Sequence, residues 1–272
     1  MRTVTLTHGP SVPALGQGTW YMGEDPARRA DEIASLRAGL DLGLSLIDTA
    51  TMYGDGAAEE LVGEALQGRR DEAFIVTKVL PWEADAAGLP ASVHGSLRRL
   101  RTDRADLVLL HWRGDVPLAE TVEALERLVA AGDIGAWGVS NLDVEDLEDI
   151  PGQPATNQVL YNLTRRGPEF DLLPYQRAAG IPTMAYSPIE QARLLRSPAL
   201  RTVAEQLGEA PAAVALAWVL RHPDVIAIPK AGTPAHVANN ARAADLTLPQ
   251  DTLEALDAAF PAPARKVPLE ML

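Results

Sequence analysis

Cysteine is missing from all 272 residues. Its absence excludes disulfides, thiolate metal sites and cysteine nucleophiles. Lysine is nearly missing: among 24 basic residues only Lys78, Lys230 and Lys266 are lysines. Arginine therefore supplies almost all of the positive surface charge. Lysine is a compact cation whose pKa shifts readily, so arginine does not replace it in every role. Lys266 lies in the tail and reads as a surface residue, which leaves Lys78 and Lys230 to be explained. No apolar run approaches the roughly 18 residues of a membrane span. The opening MRTVTLTHGPSVPALG has no apolar core of a secretory leader. A cytoplasmic protein is the expectation. Positive charge is outweighed, with a net charge of −13. That disfavours nucleic acid and anionic membranes as partners.

What is present is alternation. Short β-type runs occur at 13–18, 44–47, 74–77, 107–110, 136–139, 156–159, 183–185 and 225–228. Helical patterns lie between and after them, at 31–42, 57–66, 92–100, 118–131, 143–149, 168–179, 199–207, 211–221, 234–243 and 251–259. In the first, Ile33, Leu36 and Leu40 share a face. Strands alternating with helices imply βαβ units and a parallel sheet. Eight strands predict a closed (β/α)8 TIM barrel formed by one domain over residues 1–272. Thr3–Leu6 and Ser11–Pro13 flank His8-Gly9-Pro10 and predict a hairpin that closes the barrel bottom. A doubly wound open sheet is the rival, but it calls for a glycine-rich turn running into a helix after the first strand. Gly16-Gln17-Gly18 is only a fragment of that pattern.

Polar residues stop the apolar strands in a regular way. Asp48 ends LSLID, Lys78 ends FIVTK and His111 ends LVLLH. Ser140-Asn141 ends WGVSN, Gln158 sits in TNQV, Tyr186-Ser187 ends TMAYS and Lys230 ends IAIPK. The C-terminal strand ends of a barrel build its active site. Tyr53 follows closely in DTATMYGDG. A phenol, with an ordinary pKa of about 10, is a poor acid at neutral pH. A neighbouring lysine ammonium lowers that value, a carboxylate such as Asp48 keeps a buried lysine charged, and a histidine can orient a carbonyl oxygen. Asp48, Tyr53, Lys78 and His111 supply one of each. Carbonyl reduction needs this set: hydride from a cofactor and a proton from the protein. No metal is called for.

The motifs GQGTWYMG, LIDTATMYGDGAAEELVGEAL, IVTK, LLHW, WGVSN, NQVLYN, AYSP and IPKAGTPAHVANN occur in the order found in aldo-keto reductases, and the chain resembles that family over its full length. GQGTWYMGED and RGPEFDLLPY are similar to short bacterial members, including methylglyoxal-reductase-like enzymes. The resemblance implies that Tyr53 is the general acid, that Lys78 lowers its pKa, that Asp48 holds Lys78 and that His111 orients the substrate. It implies NADPH as cofactor, with NADH possible. Ser140, Asn141 and Gln158 would bind the nicotinamide carboxamide and Tyr186 would stack on the ring. Ser187 and its loop would meet the pyrophosphate. Lys230, helped by Thr233, would pair with the 2′-phosphate, and Asn240 would contact adenine. Two positions in this segment depart from the family pattern. His236, where many relatives carry arginine, and Asn239, where they carry glutamate, are still expected to meet the cofactor. Arg193 and Arg196, in the loop after Ser187, either add charge there or are solvated.

Trp20, Tyr21, Trp82 and Trp112 fall just past strands and predict an aromatic pocket for small carbonyl substrates. Trp137, inside a strand, and Trp218, inside a helix, read as core. A monomer is the expectation. Two rival functions use the same barrel. One is a cofactor-binding or redox-sensing regulatory subunit with little turnover. The other is Schiff-base chemistry on Lys78, which a charged Lys78 would disfavour.

Overall fold

The computed structural model describes residues 1–272. Strands β1 (Thr3–Thr5) and β2 (Ser11–Pro13) pair antiparallel as a hairpin. Eight parallel strands follow in sequential order: β3 (Gln17–Gly18), β4 (Leu46–Asp48), β5 (Phe74–Val79), β6 (Ala105–Leu110), β7 (Ile134–Ser140), β8 (Asn157–Leu160), β9 (Thr183–Tyr186) and β10 (Val225–Ala227). The two edges meet. Leu15 bridges Ala227 and Gly18 bridges Lys230, both parallel, so the sheet closes into a (β/α)8 barrel.

The helices are α1 (Arg29–Asp41), α2 (Ala57–Ala65), α3 (Gly88–Leu100), α4 (Leu118–Ala131), α5 (Val144–Asp149), α6 (Leu172–Ala179), α7 (Pro198–Leu207), α8 (Pro211–Val219), α9 (Pro234–Ala241) and α10 (Gln250–Ala259). Their limits follow local chemistry. In α4, Leu118, Val122, Leu125 and Leu128 form the buried stripe, and the chain leaves through Gly132 at φ 85°, a left-handed stop suited to glycine. Asp143 opens α5 with a capping box closed by Asp146. No helix is long and apolar enough to cross a membrane.

Two core layers result. Inside the barrel, Leu46, Val76, Leu107, Leu109, Met184, Ile226 and Ile228 pack on Val4, Leu6, Val12 and Ala14 of the hairpin region. The hairpin thus plugs the N-terminal ends of the strands, as the sequence predicts. Outside, the alternate strand residues pack on the helices, with Trp137 and Trp218 both buried there.

The elements depart from the sequence expectation mainly at their ends. Residues 13–18 do not form one strand, because Pro13 completes the hairpin, Leu15 makes only an isolated bridge to Ala227, and the barrel strand itself is Gln17–Gly18. Helix α3 begins at Gly88, earlier than its apolar pattern, because Asp85 accepts hydrogen bonds from the Ala87 and Gly88 amides and turns the chain there. The first part of 168–179 is a 3₁₀ turn before α6.

Candidate active site

Side chains alternate along a strand, so every second residue points into the barrel. Leu46 and Val76 sit in the interior core, and two residues on, Asp48 and Lys78 point the same way. The same step carries Leu109 to His111, Met184 to Tyr186 and Ile228 to Lys230. The polar strand ends are therefore the top layer of the barrel interior, brought together by the pleat.

Tyr53 enters this layer from the loop after β4. Thr19 Oγ1 donates to the Asp48 carbonyl at 2.9 Å, and Thr51 Oγ1 donates to the Lys78 carbonyl at 3.0 Å. Past Tyr53 the backbone turns through Gly54, Asp55 and Gly56, all at positive φ, and runs into α2. Glycine supplies two of those three left-handed positions.

Lys78 Nζ is fully buried. It donates to both Asp48 carboxylate oxygens at 2.8 Å, to the Thr49 carbonyl at 2.8 Å and to the Tyr53 hydroxyl at 3.2 Å. An ammonium has three protons and no acceptor, and here it has three partner groups. A nitrogen held as an ammonium has no lone pair with which to attack a carbonyl, so this pairing weighs against Schiff-base chemistry on Lys78. Gln158 Nε2 donates to Asp48 Oδ1 at 2.7 Å, completing the carboxylate's shell. The Tyr53 and His111 rings meet edge to face, 5.9 Å between centroids.

The electrostatics correct one expectation. The Tyr53 hydroxyl is pushed well above its ordinary value, first by burial and then by the Asp48 charge. Lys78, 3.2 Å from the hydroxyl, does not bring it back down. Burial also pushes Lys78 down and Asp48 up, opposed by their attraction and hydrogen bonds. His111 is lowered to about 3, by burial and then by Lys78, so its ring is neutral. Its Nδ1 is buried without a partner.

Two cavities meet at this centre. One, of about 880 Å³, runs past Trp20, Tyr53, Tyr186, Ser187 and Ala192 to Lys230. The other, of about 650 Å³, is lined by Trp20, Met52, Tyr53, His111, Trp112, Ser140, Asn141, Gln158 and Tyr186, with Met271 and Leu272 of the tail. No group of three His, Asp or Glu side chains is placed to hold a metal ion.

The other expected residues divide between these spaces. Ser140 Oγ donates to the Gln158 carbonyl at 2.9 Å. Asn141 Nδ2 donates to the His111 carbonyl and to Ser140 Oγ, each at 3.1 Å, and Asn141 Oδ1 accepts from the Tyr186 hydroxyl at 3.1 Å. The ends of β6, β7, β8 and β9 thus hold one another's polar groups beside the second cavity. Tyr21 stacks on Trp20 at 4.7 Å and lines the first cavity, not the second. Trp82 lines neither: it is 66% exposed and meets Trp112 edge-on from outside, because its 3₁₀ turn leaves the barrel mouth. Thr233 caps α9 by accepting from the His236 amide at 3.3 Å. His236 and Asn239 are exposed on α9. Asn240 is buried two turns from Thr233 on the inner face, lining a small space between Gln17, Leu36 and Val237 outside the cleft. Arg193 is committed to Glu190 at 3.0 Å, while Arg196 is exposed.

Four features were not read from the sequence. Met52 comes from the Tyr53 loop itself, and Met271 and Leu272 come from a tail with no periodic pattern. Glu190 is a buried carboxylate that holds the cleft loop. Arg28 stands beside Lys230 in a segment already rich in arginine.

Residues 14–260 match the aldo/keto reductase family. The chain is 52% identical to methylglyoxal reductase YeaE of Escherichia coli over 272 residues, covering 96% of each chain. It is 34% identical to a glyoxal reductase of Bacillus subtilis, covering 94% of this chain and 92% of that one. Among solved structures, an aldo/keto reductase from Klebsiella pneumoniae in complex with NADP and acetate superposes with a TM-score of 0.97 at 50% identity, covering 100% of this chain and 99% of that one.

Proposed function

The chain belongs to the aldo/keto reductase family, and on that premise we propose that it is a single-domain NADPH-dependent reductase of small aldehydes and ketones, methylglyoxal among them, with Tyr53 as the proton donor. The observation that carries this is the Lys78 ammonium, held by Asp48 and reaching the Tyr53 hydroxyl at 3.2 Å under the junction of two cavities. The long first cavity is the place for a dinucleotide, with the Tyr186 ring at one end and an unpaired Lys230 lining it, and the polar groups of Ser140, Asn141 and Gln158 line the second cavity, which shares Tyr186 with it. A reduced nicotinamide cofactor, when bound, supplies the hydride.

The protein's own residues do the rest. Trp20, Trp112, Met52 and the tail residues enclose the carbonyl compound in the second cavity. Neutral His111 hydrogen-bonds and orients the carbonyl oxygen. Tyr53 gives that oxygen a proton as negative charge develops on it. Burial keeps the phenol protonated until then. Once the proton has left, the phenolate faces Lys78, whose hydrogen bond strengthens against a charged acceptor. Asp48 keeps that lysine from losing its own proton in a buried place.

A panel of carbonyls including methylglyoxal and 4-nitrobenzaldehyde, assayed in parallel with NADPH and NADH, tests this reading. Oxidation of NADPH that depends on the carbonyl supports it. Tight cofactor binding with no turnover above background would point instead to a binding subunit.

A further inference from the structure

Lys230 is half-buried in the cofactor cleft and has no carboxylate partner, unlike Lys78 and Lys266. It lines the first cavity only, whereas Trp20, Tyr53 and Tyr186 line both, so it belongs to the end away from the reaction centre. A second cation comes to the same point. A methyl built on Gly232 would stand 2.6 Å from Arg28 Nη2 and 3.5 Å from Lys230 Nζ. Arg28 is the residue before α1, so it reaches this point from the loop after β3. The nearest acid does not cancel it. Glu32 Oε2 accepts the Gly23 amide at 2.9 Å, and its Oε1 is 3.8 Å from Arg28 Nε, longer than a hydrogen bond. Glu24, the other acid facing Lys230, is exposed. Burial and then the Arg28 charge push Lys230 below the ordinary lysine value. Two cations set together at a chain's cleft cost energy unless an anion answers them. The loop after the last strand of such a barrel, leading into a helix, is a common place for a phosphate.

We propose that Arg28, reaching over Gly232, is a second cation at the 2′-phosphate of NADP(H), beside the Lys230 that the family resemblance already places there, and that it is a determinant of the preference for NADP(H) over NAD(H). The proposal rests on reading the cleft as a nicotinamide dinucleotide site. It assigns to Arg28, from a different loop, the second positive group that exposed His236 on α9 does not supply. Arg28 offers a planar fork suited to bidentate contact with phosphate, and Lys230 offers a point charge. Gly232, with no side chain, lets Arg28 come this close.

Binding tests this without catalysis. The purified protein is titrated calorimetrically with NADP⁺, NAD⁺, 2′,5′-ADP and 5′-AMP, and Arg28→Ala and Arg28→Lys are compared with the unmodified chain. The side chain of Arg28 is 51% exposed, so neither variant should disturb folding. Arg28→Ala should weaken NADP⁺ and 2′,5′-ADP by about tenfold or more, leave NAD⁺ and 5′-AMP within about twofold, and Arg28→Lys should fall between. Unchanged NADP⁺ affinity in Arg28→Ala, or equal weakening of NAD⁺, overturns the role of Arg28 while leaving the dinucleotide reading intact. If the unmodified protein binds neither NADP⁺ nor NAD⁺, that reading falls and the role of Arg28 with it.

Discussion

Lys78 and Asp48 are buried at 0% and 2% exposure, and each is the other's reason for being charged. Removing one partner of a buried pair leaves an uncompensated charge and costs about 3–5 kcal/mol. Lys78→Met should therefore lower stability by about that amount in chemical denaturation, and adding Asp48→Asn should recover part of the loss. Recovery would locate the cost in the stranded carboxylate. His111 gives a pH prediction. Its folded value of about 3 lies below the ordinary 6.5, so below pH 6.5 the unfolded chain takes up a proton that the folded chain refuses. Stability should fall as pH drops from about 6.5 toward 3. His222, lowered to about 4 chiefly by burial, adds to the same slope. Denaturation midpoints measured across this range should fall less steeply for His111→Gln. The tetrad was legible because each member stops an apolar run or follows one closely. Scarcity helped too: three lysines were few enough for the buried one to be conspicuous. Arg28 was not legible. Nothing in PARRADE separates it from Arg29, which pairs with Glu64 on the surface. Nor does any sequence signal tell that burial and the Asp48 charge hold the Tyr53 hydroxyl above its ordinary value.

Between β9 and α7 the chain crosses the cleft in a strained form. Ser187, Glu190, Gln191 and Ala192 all have positive φ, a region that costs a non-glycine residue roughly 1–2 kcal/mol. The buried Glu190 carboxylate holds it there, accepting from Asn162 Nδ2 at 2.8 Å, Arg165 Nη2 at 2.9 Å and Arg193 Nη2 at 3.0 Å. Asn162 also donates to the Ser187 carbonyl at 2.9 Å. Against the upward push of burial, these hydrogen bonds keep Glu190 below the ordinary carboxylate value. Glu190→Gln should release the loop, lowering NADPH affinity several-fold with a smaller change in kcat. Fluorescence titration of the cofactor beside steady-state assays would separate the two. The helices were largely legible from apolar spacing and from punctuation such as Pro117 and Gly132 around α4. Strand ends were less so. A polar residue like Lys78 looks like a stop in sequence, yet β5 continues through it to Val79, since the barrel interior accepts a paired charge. Trp82 shows the converse, an apolar residue left outside by its turn.

At the scale of the whole molecule, the hairpin closes one end of the barrel and the other end carries the chemistry. The tail returns to that open end. Lys266 pairs with Asp143 and Asp171, Glu270 pairs with Arg165, and Met271 and Leu272 reach the second cavity. Closure of the barrel was legible from the count of strands. The return of the tail was not, because ion pairs anchor it more than an apolar pattern does. A net charge of −13 surrounds a cleft that is proposed to receive an anion, so local cations must outweigh the general field. The central claim is that this barrel reduces carbonyls with a proton from Tyr53. Its most direct test is the rate of NADPH oxidation by methylglyoxal in the unmodified protein and in Tyr53→Phe, with the NADPH Kd measured for both. Turnover is expected in the first and a loss of about 10²–10⁴-fold in the second, at nearly equal Kd. Turnover in Tyr53→Phe within tenfold of the unmodified protein would contradict it.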